Sequence, residues 1–370
     1  MLLESRKDGA ARVERRPVLD LHPAELRVWF QERGQPPMRA RQTRRWLLQG
    51  RAEGFAGMTD LPAALRHELD EAFTPLGTAI ACHQTARDGT HKLLLRLRDD
   101  RHIECVLIQE GDRRTACVST QVGCGMGCVF CASGLDGVER NLTSGEILEQ
   151  LVRLRNLLPA SERLTNIVVM GMGEPLANLD NLLTALDAAC AAEGLGISPR
   201  HVTISTVGLP AKMRRLADEG KPYHLAVSLH APWDDLRDRI VPTNPRTGLD
   251  AILQAADYFF EKTGRRVTYE YVLLGQLNDS NGAARELAAR IQGRCAHVNL
   301  IPFNEVDGLP YRRPTQEALT AFVNHLRRAG LSVKVRKRKG SEIDAACGQL
   351  RRRLEGESGT RAGGALANRK

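Results

Sequence analysis

The sequence contains no run of about 18 apolar residues, and this absence excludes a helix that spans a membrane. Its start, MLLESRKD, also lacks the apolar core of a secretion signal, so we expect a cytoplasmic protein with no membrane partner. Nine cysteines in such a chain do not indicate a disulfide framework, because cytosolic thiols are kept reduced. They favour metal binding or catalysis instead.

Length and charge narrow the class of protein further. A chain of 370 residues, 42% hydrophobic and 26% charged, is typical of a globular protein and long enough for one large domain and an accessory piece. Lysine and arginine number 53 against 44 aspartates and glutamates, which gives a formal net charge of +9. That excess favours a polyanionic partner, although ordinary basic enzymes share it.

Changes in periodicity along the chain predict its domain organisation. Both ends are polar and aperiodic, a helical pattern follows the first of them, alternation with a period of two comes next, and strands then alternate with helices. The predicted segments are a disordered N-terminus (1–20), a helical accessory domain (21–84), a β-hairpin extension (85–115), an α/β domain with a C-terminal loop (116–351) and a disordered tail (352–370).

Two amphipathic helices are predicted in the accessory domain, beginning near Pro23 and Arg39 and separated by Pro36-Pro37. The second helix carries four arginines, at positions 39, 41, 44 and 45. Such a row fits a phosphate-binding surface for RNA and a merely solvated helical face equally well.

Six apolar strand patterns separated by helical ones predict a parallel sheet of βα units in the α/β domain. They begin near Ala116, Thr165, Arg200, Tyr223, Arg266 and Ala296. Such a sheet closes naturally as a partial barrel, and an open doubly wound sheet fits the pattern too; both carry their functional residues at the carboxyl ends of the strands. Thr143 and Glu146 form a capping box for the helix after the first strand.

The strongest local signal is a cluster of cysteines directly after the first predicted strand. Cys124, Cys128 and Cys131 have the spacing C-x3-C-x2-C, close enough for three thiolates to surround one metal centre. Structural zinc sites usually have four protein ligands, so zinc would need a distant fourth residue. With three thiolates, a [4Fe–4S] cluster keeps one iron without a protein ligand, open to a substrate or cofactor.

This cysteine spacing, with Phe130 before the last cysteine, resembles the radical S-adenosylmethionine (SAM) superfamily. The resemblance implies a partial (βα)6 barrel in which Cys124, Cys128 and Cys131 bind a [4Fe–4S] cluster. It also implies that the open iron chelates SAM, and that reductive cleavage of SAM yields a 5′-deoxyadenosyl radical, so the cofactor carries the difficult chemistry.

Further segments resemble the RlmN/Cfr family of RNA adenosine methyltransferases across about residues 85–351. They lie at 121–123, 140–147, 171–176, 203–206, 228–232, 301–304 and 344–350. The resemblance implies that SAM contacts Gly173, Glu174, Ser205, Ser228, Leu229, His230 and Asn304. Read from the residues alone, Gly173 lets a backbone approach a ligand and Glu174 can accept from an ammonium group, although an exposed turn would look the same.

The resemblance also implies three catalytic residues. Cys347, in a C-terminal catalytic loop, takes a methyl group from one SAM, and the radical from a second SAM activates that S-methylcysteine toward the base. Glu104 accepts the ring proton, and Cys117 attacks the Cys347 sulfur to leave a transient Cys117–Cys347 disulfide. Without the resemblance, Cys117 would be a buried structural cysteine and Glu104 a solvent-facing strand residue.

The remaining cysteines match no such role and are interpreted as packing residues, namely Cys82, Cys105, Cys190 and Cys295. A basic run at Lys334 and residues 336–339 precedes the catalytic loop and fits a phosphate backbone, or else a solvated strand end. The reacting base must leave its stack to reach the barrel mouth.

The function implied by the resemblance is methylation of carbon-2 of an adenosine in 23S rRNA, and of the adenosine beside the tRNA anticodon. Two SAM molecules per turnover, an electron donor such as flavodoxin or ferredoxin, and a thiol reductant would be needed. The alternatives are a Cfr-type carbon-8 methyltransferase that confers antibiotic resistance and a non-catalytic, zinc-stapled RNA-binding protein.

Overall fold

The computed structural model describes residues 15–350, and the chain divides after Gly77 into two compact units. The predictions for residues 1–14 and 351–370 lie outside the described residues. The prediction of disorder was wrong for the end of the 1–20 segment, because Val18 and Leu19 are buried and a short strand precedes them. The charged residues around these two had masked their apolar character.

The first unit contains the predicted helices. Strand β1 (Arg16–Pro17) pairs in parallel with β2 (Phe73–Thr74), and between them lie α1 (Pro23–Gln31), α2 (Met38–Leu48) and α3 (Ala63–Ala72). A capping box between His22 and Glu25 begins α1, with Pro23 at the first helical position. The apolar side chains of the three helices form the core of this unit, among them Leu26, Phe30, Leu47, Leu65 and Leu69.

Two of the four arginines of α2 have internal partners. Arg39 donates to the carbonyl of Asp60 at 3.0 Å, and Arg44 points at the carbonyls of Val18 and Leu21 at 3.4–3.5 Å. Arg41 and Arg45 are exposed. Of the predicted phosphate-binding row, Arg41 and Arg45 are thus the exposed side chains, and they share one helical face.

The second unit begins with antiparallel strands, and here the predicted boundary at residue 84 was wrong. Strand β3 (Ala79–Thr85) pairs with β4 (His91–Arg96), which pairs with β5 (His102–Glu110), which pairs with β6 (Arg113–Cys117). The predicted hairpin of β4 and β5 is thus the middle of a four-stranded run. Residues 79–85 gave no strand signal because β3 is an edge strand whose side chains are mostly exposed.

A small antiparallel pair of strands and then the parallel strands of the main sheet follow. The small pair, β7 (Gln121–Gly123) and β8 (Val138–Asn141), flanks the cysteine loop. The main sheet then continues from β6 through β9 (Asn166–Val169), β10 (Val202–Thr206), β11 (His224–Ser228), β12 (Val267–Leu273), β13 (Ala296–Pro302) and β14 (Ser332–Val335). The sheet is open, with β3 and β14 at its edges, as a partial barrel requires. The parallel strand β14 was not predicted.

Helices connect the parallel strands: α4 (Ser144–Asn156), α5 (Leu179–Cys190), α6 (Pro210–Asp218), α7 (Asp234–Ile240), α8 (Leu249–Thr263), α9 (Asn281–Ile291) and α10 (Gln316–Arg328). The predicted capping box of α4 is confirmed, since Thr143 and Glu146 each accept from the other's backbone amide. Within residues 15–350, no helix is both long and apolar enough to span a membrane.

Candidate active site

The cysteine loop is held in a tight backbone turn between β7 and β8. Gly123 has a φ of +80°, and a Cβ atom there would lie 2.0 Å from the carbonyl oxygen of Gly137. The amide of Cys124 donates to that same oxygen at 2.8 Å, and the amide of Cys131 donates to the carbonyl of Cys128 at 3.0 Å. A side chain at position 123 would therefore open the loop, so the fold requires glycine there.

The three thiols line one cavity of about 130 Å³, here called the cysteine-lined cavity. Burial is the main cause that raises the pKa of Cys124 to about 12 and raises those of Cys128 and Cys131. The Cys131 thiol contributes to the rise at the other two cysteines. Buried thiols of this kind stay protonated until a metal replaces the proton. Within the described part of the chain, no three His, Cys, Asp or Glu side chains are arranged around a single metal ion.

Arg237 on α7 is only 1% exposed and binds the backbone of Val207 and Ser228, two residues that line this cavity. Its guanidinium donates to the carbonyls of Val207, Ser228 and Leu229 and to the side chain of Asn244. It also lowers the pKa of Cys128 against the raising effect of burial. One buried cation thus connects the loops after β10 and β11 and places positive charge near a cysteine sulfur.

Gly173 and Glu174 form the rim after β9. Gly173 has a φ of +100°, and a Cβ atom there would lie 2.6 Å from Cβ of Gln121. Burial raises the pKa of Glu174, and its two carboxylate oxygens accept from the amides of Leu176 at 3.0 Å and Val207 at 2.9 Å. A carboxylate has about four acceptor sites, so these two hydrogen bonds leave acceptor sites for a ligand in the cavity.

Ser205, Ser228 and His230 lie at the carboxyl ends of β10 and β11 and also line the cysteine-lined cavity. The two serine hydroxyls are 3.5 Å apart. Nδ1 of His230 accepts from the amide of Val272 at 3.1 Å, so the ring proton sits on Nε2. Burial, helped by Arg237, lowers the pKa of His230 to about 3 and keeps the ring neutral.

The side chain of Leu229 is buried and does not line this cavity. Its amide donates to the carbonyl of Glu270 at 3.0 Å, and its own carbonyl accepts from Arg237 at 2.9 Å. Among the predicted SAM contacts, it is the one residue whose side chain the structure keeps away from the cavity.

The C-terminal loop packs on the cysteine loop and carries Cys347 into the same cavity. Nδ2 of Asn304 donates to the carbonyl of Cys347 at 3.1 Å, the amide of Ala132 donates to the carbonyl of Gly348 at 2.8 Å, and the Ser133 hydroxyl donates to that of Leu350 at 2.9 Å. Asn304 is thus partly engaged in holding the loop.

Cys117 and Glu104 lie outside the cysteine-lined cavity. Cys117 belongs to a buried apolar cluster with Val106 and Ala345. Burial and, to a smaller extent, the nearby Cys347 sulfur raise its pKa to about 12. Glu104 is buried and paired with Lys92 Nζ at 3.0 Å, so the interpretation of a solvent-facing residue does not hold. All nine cysteines are free thiols in this structure.

A second cavity of about 660 Å³, here called the basic cavity, adjoins the first. Its lining includes seven cationic side chains, at Arg113, Arg313, Lys334, Arg336, Lys337, Arg338 and Lys339. Six residues line both cavities and form the wall between them: Met170, Glu270, Ile301, Asn304, Arg336 and Cys347. Arg336 is half-buried in this wall and lowers the pKa values of Cys117 and Cys347, unlike the exposed phosphate-binding residue that the basic run predicted.

Two residues of the site were missed from the sequence. Glu270 interrupts an otherwise apolar strand, which is a usable signal for a functional carboxylate. Arg237 lies in the segment DDLRDRI, where one arginine among alternating charges looks like any exposed helical residue.

Comparisons with known proteins agree with this geometry. The model of the radical SAM superfamily matches residues 118–288, and that of the ribosomal RNA large subunit methyltransferase N-terminal domain matches residues 17–74. A probable dual-specificity RNA methyltransferase RlmN from Rhodopirellula baltica is 58% identical over 328 residues, which are 89% of this chain and 88% of that protein.

Two further relatives extend the match. A protein of the same name from Symbiobacterium thermophilum is 45% identical, covering 93% of this chain and 94% of its own. The crystal structure of a radical SAM methyltransferase from Sphaerobacter thermophilus has a TM-score of 0.89 at 42% identity, covering 91% of this chain and all of that one.

The partial barrel and its cysteine loop define a radical SAM enzyme. Within that class the chain belongs to the RlmN/Cfr family of RNA adenosine methyltransferases and is of the RlmN type. It is therefore a SAM-dependent RNA methyltransferase, and membership implies a [4Fe–4S] cluster, SAM and an RNA substrate.

The residues present fit such a cluster. Three sulfur donors surround a cavity rather than a single point, and a cluster takes one thiolate at each of three irons. The Arg237 charge offsets part of the negative charge that three thiolates would bring. The zinc-stapled alternative finds no support in this family or in this arrangement.

Proposed function

We propose that this enzyme methylates carbon-2 of an adenosine in 23S rRNA and of the adenosine beside the tRNA anticodon, through an S-methylcysteine at Cys347. The observation that carries the proposal is the position of Cys347 in the wall shared by the cysteine-lined and basic cavities. A sulfur there can receive a methyl group from one side and deliver it to the other. The dual-specificity naming of the relatives supports two RNA substrates.

The cofactor residues follow from the cysteine-lined cavity. Cys124, Cys128 and Cys131 would bind the cluster, which when bound supplies the electron that cleaves SAM. SAM would be held by Gly173, Glu174, Ser205, Ser228, the Leu229 backbone, His230 and Asn304. The neutral His230 presents an Nε2–H donor, and the serine hydroxyls present donors and acceptors suited to a ribose.

Methyl transfer to Cys347 requires its thiolate. Burial raises the pKa of this thiol, and the Arg336 guanidinium opposes that rise. Displacement at the SAM methyl group would then give S-methylcysteine and S-adenosylhomocysteine. A second SAM is consumed when hydrogen is removed from the S-methyl group, so each turnover uses two.

Release of the methylated base needs a base and a second thiol. Glu104 would be the proton acceptor, and its Oε1 lies 3.0 Å from Nζ of Lys92 in a buried ion pair. The radical adduct between the base and the Cys347 methylene would first lose the ring proton and pass its unpaired electron to an oxidised one-electron carrier. Attack of the Cys117 thiolate on the Cys347 sulfur would then break the sulfur–methylene bond; the carbon keeps that electron pair and takes up a proton, and the two sulfurs remain as a disulfide. A thiol reductant must then restore both thiols, and a one-electron donor such as flavodoxin or ferredoxin must reduce the cluster. These needs suit the reducing cytoplasm.

The proposal is tested with Cys347→Ala loaded with iron and sulfide under anaerobic conditions. We expect unchanged visible absorbance and no RNA methylation, measured by mass spectrometry of adenosines from 23S rRNA and tRNA. Methylation by this variant would refute the S-methylcysteine route. The same measurement distinguishes 2-methyladenosine from the 8-methyladenosine of the Cfr-type alternative.

A further inference from the structure

Glu270 is a buried carboxylate in the wall between the two cavities, and none of the steps above uses it. It lies on β12, is 5% exposed, and lines both cavities. Across the sheet, Ser228, Glu270 and Asn299 are in direct parallel register on β11, β12 and β13. Since residues in direct register point to the same face, all three face the interior of the barrel.

The Glu270 carboxylate is oriented but not saturated. Nδ2 of Asn299 donates to Oε2 of Glu270 at 2.8 Å. Burial raises the pKa of Glu270, and the charge of Arg336 and the hydrogen bond from Asn299 oppose that rise. Nη1 of Arg336 itself lies 3.7 Å from the sulfur of Met170. Among the residues that the structure describes, Asn299 donates the one hydrogen bond that this carboxylate accepts. A carboxylate has about four acceptor sites, so others remain for a ligand. A ligand that donates a hydrogen bond here would relieve the cost of burial.

The target base must reach this wall, because its reacting carbon must meet the Cys347 sulfur substituent. The wall offers three polar side chains besides the thiol. Asn304 donates to the Cys347 carbonyl and Arg336 is a donor only, which leaves Glu270 as the strong acceptor. Adenine joined to ribose has one donor group, its exocyclic amine, whereas hypoxanthine and guanine carry an acceptor oxygen at that position.

We propose that Glu270, oriented by Asn299, accepts a hydrogen bond from the exocyclic amine of the target adenine and so selects adenine against other purines. The inference rests on the proposed function, because it needs an RNA adenine at Cys347. It assigns Glu270 as a specificity-determining residue that touches the substrate, and Asn299 as the residue that positions it.

The test uses three versions of one RNA stem-loop that the wild-type enzyme methylates, with adenosine, purine riboside or inosine at the target position. We expect kcat/KM to fall about 10- to 100-fold when the amine is removed, the usual value of a hydrogen bond to a charged group. Inosine should be worse still, because its oxygen would face the carboxylate. The order adenosine, purine riboside, inosine is the signature.

Variants of Glu270 and Asn299 then test whether the carboxylate causes that order of reactivity. Glu270→Leu, which removes the acceptor at similar volume, should bring the adenosine-to-purine ratio close to 1. Glu270→Gln, which keeps one acceptor oxygen, should retain part of the preference, and Asn299→Ala should give an intermediate ratio. Glu110→Gln is the matched control, because Glu110 is exposed on the same basic cavity. It should change kcat/KM for all three RNAs by the same factor.

Methylation of Cys347 by SAM without RNA, read as protein mass, shows that each variant is folded and loaded. A wild-type enzyme that does not distinguish adenosine from purine riboside would overturn the inference even if Glu270→Leu failed to fold. A folded Glu270→Leu that keeps the full preference, or that changes only the KM for SAM, would also overturn it. If the wild type methylates neither Cys347 nor any RNA, the proposed function fails first and the inference with it.

Discussion

Replacing Arg237 by methionine removes, at nearly constant volume, the buried cation that connects two loops of the proposed SAM site. The lost hydrogen bonds run to the carbonyls of Val207, Ser228 and Leu229 and to Asn244. Each bond to a charged group contributes about 1.5–3 kcal/mol, and methionine recovers several kcal/mol of guanidinium desolvation. We therefore expect the free energy of unfolding to fall by about 3–5 kcal/mol.

The assay is urea unfolding of the metal-free protein, together with KM for SAM in the loaded enzyme. The amide of Val207 also donates a hydrogen bond to Glu174, so greater mobility of the loop after β10 should raise the KM for SAM roughly tenfold. The control is Arg239→Met, an exposed arginine on the same helix, which should change neither quantity. A loss below about 1 kcal/mol for Arg237→Met, with KM unchanged, would refute the view that this residue holds the site together.

Three further outcomes are expected. The folded state keeps His230 neutral down to about pH 3, whereas the same side chain in the unfolded chain takes up a proton below about pH 6.5. The protein should therefore lose about 2 kcal/mol of unfolding free energy between pH 7 and 5. Urea titrations of His230→Gln should lack this contribution. Gly123→Ala should lose most of its iron in a metal assay, whereas Gly89→Ala, at a similar φ of +78° but in open space, should cost only about 1 kcal/mol and keep its iron. Lys337→Ala should reduce the slope of log RNA affinity against log salt by about 1 without slowing methylation of Cys347; an unchanged slope would exclude phosphate contact.

Strands inside the sheet were predictable, and its edges were not. Residues 224–228 were found because a strand covered on both faces is a continuous apolar run. Strands β3 and β14 lie at the two edges: β3 is mostly exposed, and β14 alternates exposed with half-buried residues and has no fully buried one. Their hydrophobic signal is therefore weak. The domain boundary moved with β3, from residue 84 to Gly77.

Parts of the candidate site were predictable from the sequence, and other parts were not. The cysteine loop could be predicted because its three cysteines lie within eight residues and the prediction depends only on local spacing. The wall between the cavities joins residues as distant in sequence as Met170, Glu270 and Cys347, so only packing of the sheet brings them together. Arg237 was hidden because burial, not sequence, distinguishes it from its charged neighbours.

The most direct measurement follows one methyl group through Cys347. The enzyme is first methylated with SAM carrying a trideuterated methyl group, freed of that SAM, and then given RNA, unlabelled SAM and reductant for a single turnover. The methyladenosine should retain two of the three deuterium atoms, because one deuterium is removed from the methyl group while that group is still bound to the Cys347 sulfur. An unlabelled methyl group in the RNA, with the deuterated methyl still on Cys347, would contradict it.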